Sequence, residues 1–343
     1  MPVKGFTSAF ICLVLSACSA DKNVSRSFYY WEKDFYLSED DRTLLERLGN
    51  ERIYLRCFTM EWDKPTRTLR NTDEVKFEAG SLPPALEIVP VVHIKPDFFQ
   101  FIKSEQIPLL ATALLKRVDS LAKHAGFSFS ELQVDFRWNE QSRELYFALL
   151  GSLKAALDPV QQKLSCSIRL QQLQFPDVTG VPPVDRGMLL YYNTGKLNEP
   201  GTRNSIYDPD VAARYVSYVK NYQLPLDIAL PVFTWGVHQR NGEVLSVIQK
   251  ITLSDVQNSG LFTEKAKGLF APIQTCYFKG TWFKEGDRLR VEEISPLSSL
   301  RAARQVQPFL SDAVVNVALF CLDSANTSRY RREDFDDLYS VFE

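Results

Sequence analysis

The 343-residue sequence is poor in histidine, with only His93, His124 and His238, and its six cysteines include no CxxC pair. That combination contains no recognisable zinc constellation, so no metal is expected. Apart from Cys12 and Cys18 near the start, the cysteines are Cys57, Cys166, Cys276 and Cys321, three of them inside apolar strand-like runs. In a chain of this size they read as small buried hydrophobes and not as a disulfide framework. An excess of charge is missing as well, since 40 Lys and Arg face 42 Asp and Glu. Nucleic acid or another polyanion therefore finds no electrostatic footprint. No Gly-rich phosphate loop follows the first strand-like run, and no cofactor is implied. Beyond the N-terminal segment no stretch is long and apolar enough to span a bilayer. Composition sets no oligomeric state.

What is present begins with an address. Lys4 precedes the apolar run Phe10-Ile11-Cys12-Leu13-Val14-Leu15, which is too short for a stable transmembrane helix and reads as a signal peptide. The run ends in Leu15-Ser16-Ala17-Cys18, which resembles the bacterial lipobox: small residues admit the peptidase, and the cysteine sulfur receives a diacylglycerol. An ordinary secretory leader would favour an A-x-A-like site instead. The expectation is a signal peptide over residues 1–17, an acylated N-terminus and tether over 18–27, and one domain over 28–343. The protein would then sit in the bacterial cell envelope, periplasmic or surface leaflet, with the membrane as a partner through the lipid on Cys18. Each buried acyl methylene contributes about 0.8 kcal/mol, so such an anchor holds without a transmembrane helix.

The remaining chain alternates strand-like runs with helical or loop segments. Eight runs rich in β-branched and aromatic residues stand out: 28–31, 52–58, 86–93, 131–136, 164–170, 187–192, 226–233 and 314–322. Between them, Ser38 and Asp41 form a capping-box pattern, Ile107 to Ala125 is long and amphipathic, Asn139 precedes a helix reaching Leu157, and Asp208-Pro209 opens another. Strands alternating with helices imply parallel pairing and right-handed crossovers, and eight units close into a (β/α)₈ TIM barrel. An open doubly wound sheet is the alternative. Residues 171–186 read as a loop. Asn241-Gly242 predicts a β-hairpin in an insertion between strands 7 and 8, and Tyr277 to Val291 a second two-stranded element turning at Lys284 to Asp287. The charged stretch Arg329 to Asp337 reads as a surface tail.

Barrel sites form at the C-terminal ends of the strands. Alternation along Gln133-Val134-Asp135-Phe136-Arg137-Trp138 turns Gln133, Asp135 and Arg137 inward, and the same parity brings in Arg56 and Arg169. Guanidinium groups within reach of Asp135 would keep it ionised, suiting it as a base or stabiliser and not as an acid. Alternatively, Asp135, Arg56 and Arg169 form an ion cluster that fixes barrel register. Glu61, Asp63 and Asp323, just past strands 2 and 8, are candidate partners or solvated loop charges. Aromatic residues gather at the same ends: Tyr30, Trp31, Phe58, Trp62, Trp138, Tyr191, Tyr192, Phe233 and Trp235. Singly each suits core or rim packing, but together they suit stacking on a sugar's C–H face.

Tyr29-Tyr30-Trp31-Glu32, Val134-Asp135-Phe136-Arg137-Trp138, Ser167-Ile168-Arg169-Leu170, Pro183-Val184-Asp185-Arg186-Gly187, Tyr192-Asn193-Thr194-Gly195 and Phe233-Thr234-Trp235-Gly236-Val237 together resemble a family of uncharacterised lipoproteins from Bacteroides-type bacteria. That resemblance spans nearly the whole chain after Cys18 and implies a glycosidase-like TIM barrel without implying a reaction. Relatives carry an Asp where this sequence has Arg137. The fourth strand also invites comparison with chitinase-type hydrolases, whose strand ends in D-x-x-D-x-D-x-E with the Glu as acid. With Asp135 on the middle Asp, Arg137 and Asn139 take the places of the next Asp and of the Glu, and a substrate-assisted mechanism is disfavoured.

Three functions are therefore carried forward. One is a carbohydrate-active lipoprotein, a glycoside hydrolase with Asp135 and Glu61 as its carboxylates. Another is a non-catalytic glycan-binding barrel in which Arg56, Arg137 and Arg169 contact the ligand while Tyr191 and Trp235 stack on it. The third is a structural or assembly lipoprotein. For the address, Cys18→Ala is expected to abolish labelling by radioactive palmitate and to release the protein from membranes or stall its processing; membrane retention equal to wild type would show that Cys18 is not the anchor.

Overall fold

A computed structural model describes residues 23–343 apart from 79–81, 84, 200, 203 and 311–313. The segment expected to be a signal peptide and Cys18 lie outside the described residues. Eight parallel strands close into a barrel: β1 (Asn23–Tyr30), β2 (Arg52–Asp63), β3 (Glu87–Ile94), β4 (Glu131–Asp135), β5 (Lys163–Arg169), β6 (Arg186–Leu190), β7 (Leu226–Pro231) and β8 (Val314–Phe320). Each strand pairs with its sequence neighbours, and β1 pairs with both β8 and β2, so no barrel edge is left open. The (β/α)₈ expectation holds, and the open doubly wound sheet is excluded.

Local signals act where the sequence places them. Ser38 Oγ accepts from Asp41 N at 3.1 Å and Asp41 Oδ2 accepts from Ser38 N at 3.1 Å, starting helix Glu39–Leu48. Asn139 Oδ1 accepts from Ser142 N at 3.0 Å and starts helix Glu140–Leu157. Helix Ile107–Ala125 packs beside it, ending at Gly126 with φ +77°. Residues 171–186 hold only the short helices Leu170–Gln174 and Pro176–Thr179. Between β2 and β3 the described residues contain no helix. There β2 runs on past the barrel and pairs antiparallel with Thr68–Thr72.

The insertion after β7 is a five-stranded antiparallel sheet in the order 243–249, 234–240, 288–293, 269–272, 262–266. It has its own apolar core around Phe270, Phe283 and Leu289. Asn241 and Gly242 both take positive φ, 51° and 83°, as a tight hairpin turn requires. The second expected hairpin is displaced: strands Cys276–Phe278 and Thr281–Phe283 pair with each other and turn at Lys279-Gly280. Lys284 to Asp287 form a separate turn that leads into strand Arg288–Glu293, its backbone gripped by Asp287 Oδ2 accepting from Lys284 N at 2.8 Å.

The expected C-terminal surface tail is instead helix Arg332–Ser340, packed between helices Glu39–Leu48 and Pro296–Val306. Its charges occupy one face, and Phe335, Leu338 and Tyr339 are buried on the other. Phe335 meets Phe28 and Tyr330 at centroid distances of 5.9 and 5.1 Å, and Tyr339 Oη donates to Ser27 O at 3.1 Å. This helix completes the outer ring. Phe335→Ala is expected to cost about 3 to 5 kcal/mol in chemical denaturation; a loss under about 1 kcal/mol, the scale of a surface change, would show that the helix is peripheral.

Candidate functional site

The barrel interior is polar along β4. Glu131 Oε1 accepts from Ser165 Oγ at 2.5 Å, and Gln133 Oε1 accepts from Tyr29 Oη at 2.6 Å. Asp135, the last residue of β4, stands at the top of this column. Its Oδ1 accepts from Ser167 Oγ at 2.5 Å and from Arg169 Nη2 at 3.0 Å, and its Oδ2 lies 2.8 Å from His93 Nδ1. Burial alone would push the Asp135 carboxyl upward, but Arg169, then His93 and Ser167, hold it well below the usual carboxylate range. An ionised carboxylate only accepts, so the shared proton sits on His93 Nδ1, which leaves Nε2 to meet a ligand. Both Asp135 oxygens are thus engaged.

Above the ion pair lies a pocket of about 430 Å³ at the C-terminal mouth of the barrel. Its aromatic wall includes Trp31, Tyr192, Phe233 and Trp235, organised around Phe320, which meets Trp31 at 5.5 Å, Tyr192 at 5.2 Å and Phe233 at 5.5 Å. The insertion contributes Thr234, Trp235, Gln249 and Lys250. Trp235 is fixed by donating from Nε1 to buried Glu292 at 2.8 Å, and the same Glu292 oxygen accepts from Ser205 N and Oγ at 2.6 Å. Lys250 Nζ lies 2.6 Å from Asp323 and 2.9 Å from Glu32. Partial burial pulls the Lys250 ammonium downward, but these two carboxylates hold it above its ordinary value. Three of the lining side chains keep a buried polar atom without a hydrogen-bond partner: Arg169 Nη1, Thr234 Oγ1 and Asn326 Oδ1.

Of the residues singled out by sequence, Asp135, Arg169, Trp31, Tyr192, Phe233 and Trp235 meet in this pocket. Others do not. Glu61 sits on the part of β2 that leaves the barrel, opposite Arg70, and binds Lys95 Nζ at 2.5 Å. Arg56 does start inside, but its guanidinium lies over Trp31, 5.5 Å from the ring, and Asp73 and Glu32 are its charged neighbours in place of Asp135. Burial of this guanidinium lowers its pKa. Arg137 is exposed, because β4 ends at Asp135 and strand alternation ends with it. Tyr191 points away from the mouth between pocket-lining Leu190 and Tyr192, and its hydroxyl reaches Gln305 Oε1 at 2.8 Å. Asp63 pairs with Arg70 at 2.8 Å, outside the pocket. Trp62 stacks on Phe101, and Trp138 Nε1 donates to Thr179 O at 2.8 Å.

His93, Ser167, Glu32, Asn193 and Lys250 were not picked out as site residues. The first two had a usable signal: each ends or nearly ends a strand in the register that brings Asp135 inward, with His93 directly paired to Asp135.

No protein-family model matches the chain, and no curated protein matches it in sequence. Solved structures match it in shape. The spore cortex-lytic enzyme SleL of Bacillus cereus superposes with a TM-score of 0.54 at 12% identity, covering 94% of this chain and 75% of that one. The GH18 chitinase ChiB from the chitin utilization locus of Flavobacterium johnsoniae gives 0.52 at 12% identity over 94% of each chain. The GH18 chitinase of Cycas revoluta, solved in complex with (GlcNAc)3, gives 0.50 at 14% identity over 93% of this chain and 98% of that one. Likeness at these identities shows the fold, a glycosidase-type TIM barrel. At the positions of the chitinase-type motif this chain has Arg137, exposed, and Asn139, whose side chain caps a helix.

Asp135→Asn is expected to destabilise the protein by about 3 kcal/mol at neutral pH, because Arg169 keeps its burial and loses its counter-charge. Since the folded carboxyl is depressed, its contribution is complete above the unfolded carboxyl's pKa of about 3.9 and is lost as pH falls below it. Chemical denaturation should give a wild-type-minus-variant difference that is constant between about pH 5 and 8 and narrows below about pH 4. A difference absent at neutral pH, or widening in acid, would show that the ion pair does not support the fold.

Proposed function

We propose that this protein is a carbohydrate-active barrel whose central pocket receives a sugar, and that it binds glycans without hydrolysing them by a chitinase-type mechanism. The observation that carries this reading is the union, in one pocket, of an aromatic wall with the polar residues Asp135, Arg169, Asn193, Thr234 and Asn326. A sugar has C–H faces that pack on aromatic rings and hydroxyls that both donate and accept. Among these residues a guanidinium donates, a carboxylate accepts, and asparagine amides and a threonine hydroxyl do both. The neighbouring folds support the same class of ligand, and the (GlcNAc)3 seen in the Cycas revoluta chitinase makes GlcNAc oligomers the first probe.

Ordinary glycoside hydrolysis uses two carboxyl groups in distinct roles. Both Asp135 oxygens are engaged, Oδ1 by Arg169 and the Ser167 hydroxyl and Oδ2 by His93, and the position of the chitinase acid is an asparagine. A hydrolase reading rests on Glu32, whose side chain lines the same pocket as Asp135 and replaces Glu61 as the second carboxylate. We also propose that the barrel is displayed from a membrane by a lipid on Cys18, supported by the lipobox-like segment and by the resemblance to Bacteroides-type lipoproteins.

Tryptophan fluorescence titration with chito-oligosaccharides, alongside a glycan array, tests the reading. Wild type is expected to bind at least one glycan, and Trp235→Ala to weaken that binding by about tenfold or more. No binding to any glycan would overturn the proposal. Prolonged incubation should release no new reducing ends; release that disappears in Glu32→Gln would favour the hydrolase reading instead.

A further inference from the structure

A second cavity, of about 180 Å³, adjoins the central pocket and shares Arg169, Tyr192 and Asn193 with it. Arg137 lines it from the end of β4, and Gln171 and Thr194 add neutral polar groups. Among the described residues, none that lines this cavity is acidic. The central pocket differs in this respect, because each of its charges faces an opposite one: Arg169 with Asp135, and Lys250 with Glu32 and Asp323. The side cavity thus adds to Arg169, already paired with Asp135, a second guanidinium, that of Arg137, with no carboxylate beside it among the described residues. Arg169 commits only Nη2 to Asp135, while its Nη1 is buried with no partner. Arg137 is exposed and has no acid within ion-pair distance among the described residues.

From this arrangement we propose that the side cavity is an anion subsite, and that the glycan bound by this protein carries a carboxylate or sulfate seated between Arg137 and Arg169. The inference rests on the glycan-binding reading and adds the substrate class to it. Guanidinium groups present forked N–H donors that match the two oxygens of a carboxylate or sulfate, and charge-assisted hydrogen bonds are roughly twice as strong as neutral ones. A neutral sugar would offer the arginines at best a hydroxyl and would leave Arg137 in water. The shared wall of Tyr192 and Asn193 lets one ligand reach both cavities, its ring against the aromatic residues and its acidic substituent against the arginines.

The test is a glycan array of matched pairs, with uronic, sialic and sulfated glycans each beside its carboxyl-reduced or desulfated counterpart, followed by titration of the best pair at two salt concentrations. Wild type is expected to bind the acidic member about tenfold or more tighter than the neutral one, with the ratio shrinking at high salt. In Arg137→Gln, checked for an unchanged melting temperature, that ratio should fall toward one. Binding to neutral glycans with no preference for the acidic partner would leave the glycan-binding reading standing and overturn the anion subsite. Binding to no member of any pair would overturn both. An undiminished acidic preference in Arg137→Gln would remove Arg137 from the subsite and overturn the proposal as stated.

Discussion

A carboxylate enclosed in the top of a β-barrel must be neutralised where it stands, and in this protein the Asp135–Arg169 pair meets that requirement. Its reach extends beyond the two residues. Asp135 draws in His93 from β3 and Ser167 from β5, so three adjacent strands are tied at one level. Below it, Gln133 and Glu131 are each spoken for by Tyr29 and Ser165. A one-residue slip of β4 would send Val134 and Phe136 into this column and press the carboxylate against helices. The polar column therefore specifies register more than it adds stability, since buried ion pairs are weak net contributors while a broken one is costly.

The same alternation explains what could be read from the sequence and where reading failed. Gln133, Asp135 and Arg169 were legible because they lie within β4 and β5, where period two applies. Arg137 was misplaced because nothing in Phe136-Arg137-Trp138 marks the end of pairing, which is set by the helix cap at Asn139 and by tertiary contacts. Glu61 was misplaced because β2 continues as a twelve-residue strand into a hairpin outside the barrel, past a register shift between Arg56 and Phe58. Tyr191 and Tyr192 sit side by side and alternation sends them to opposite faces, so choosing between them needed the register of β6. Helix Arg332–Ser340 was hidden by its charges, although Phe335, Leu338 and Tyr339 have the spacing of a buried stripe. His93 belongs to no metal-ligand pattern, and only its position at the end of β3, in register with Asp135, marks it as a site residue.

The insertion after β7 joins the binding wall to the rest of the molecule. Trp235 would be an ordinary rim aromatic without Glu292, and Glu292, buried on strand Arg288–Glu293, also accepts from Ser205 in the loop after β6 and from Arg290. Lys250 closes the opposite side by bridging Glu32 after β1 and Asp323 after β8. A side chain locked this way loses little conformational freedom when a ligand arrives, and preorganisation of this kind favours recognition.

Catalysis asks something different of the same mouth, namely a carboxyl group free to take and return a proton near working pH. Here Asp135 is pinned as an anion, Asn139 is a helix cap, and Arg137 places a fixed positive charge at the end of the strand that carries the acid in chitinase-type motifs. A guanidinium at the rim does not act as an acid near neutral pH, but it can hold an anionic substituent, and Arg169 in the lining of the adjoining cavity offers that substituent a second cation. The polar column and the aromatic mouth thus meet, just past the end of β4, a guanidinium where the chitinase-type motif has a carboxylate.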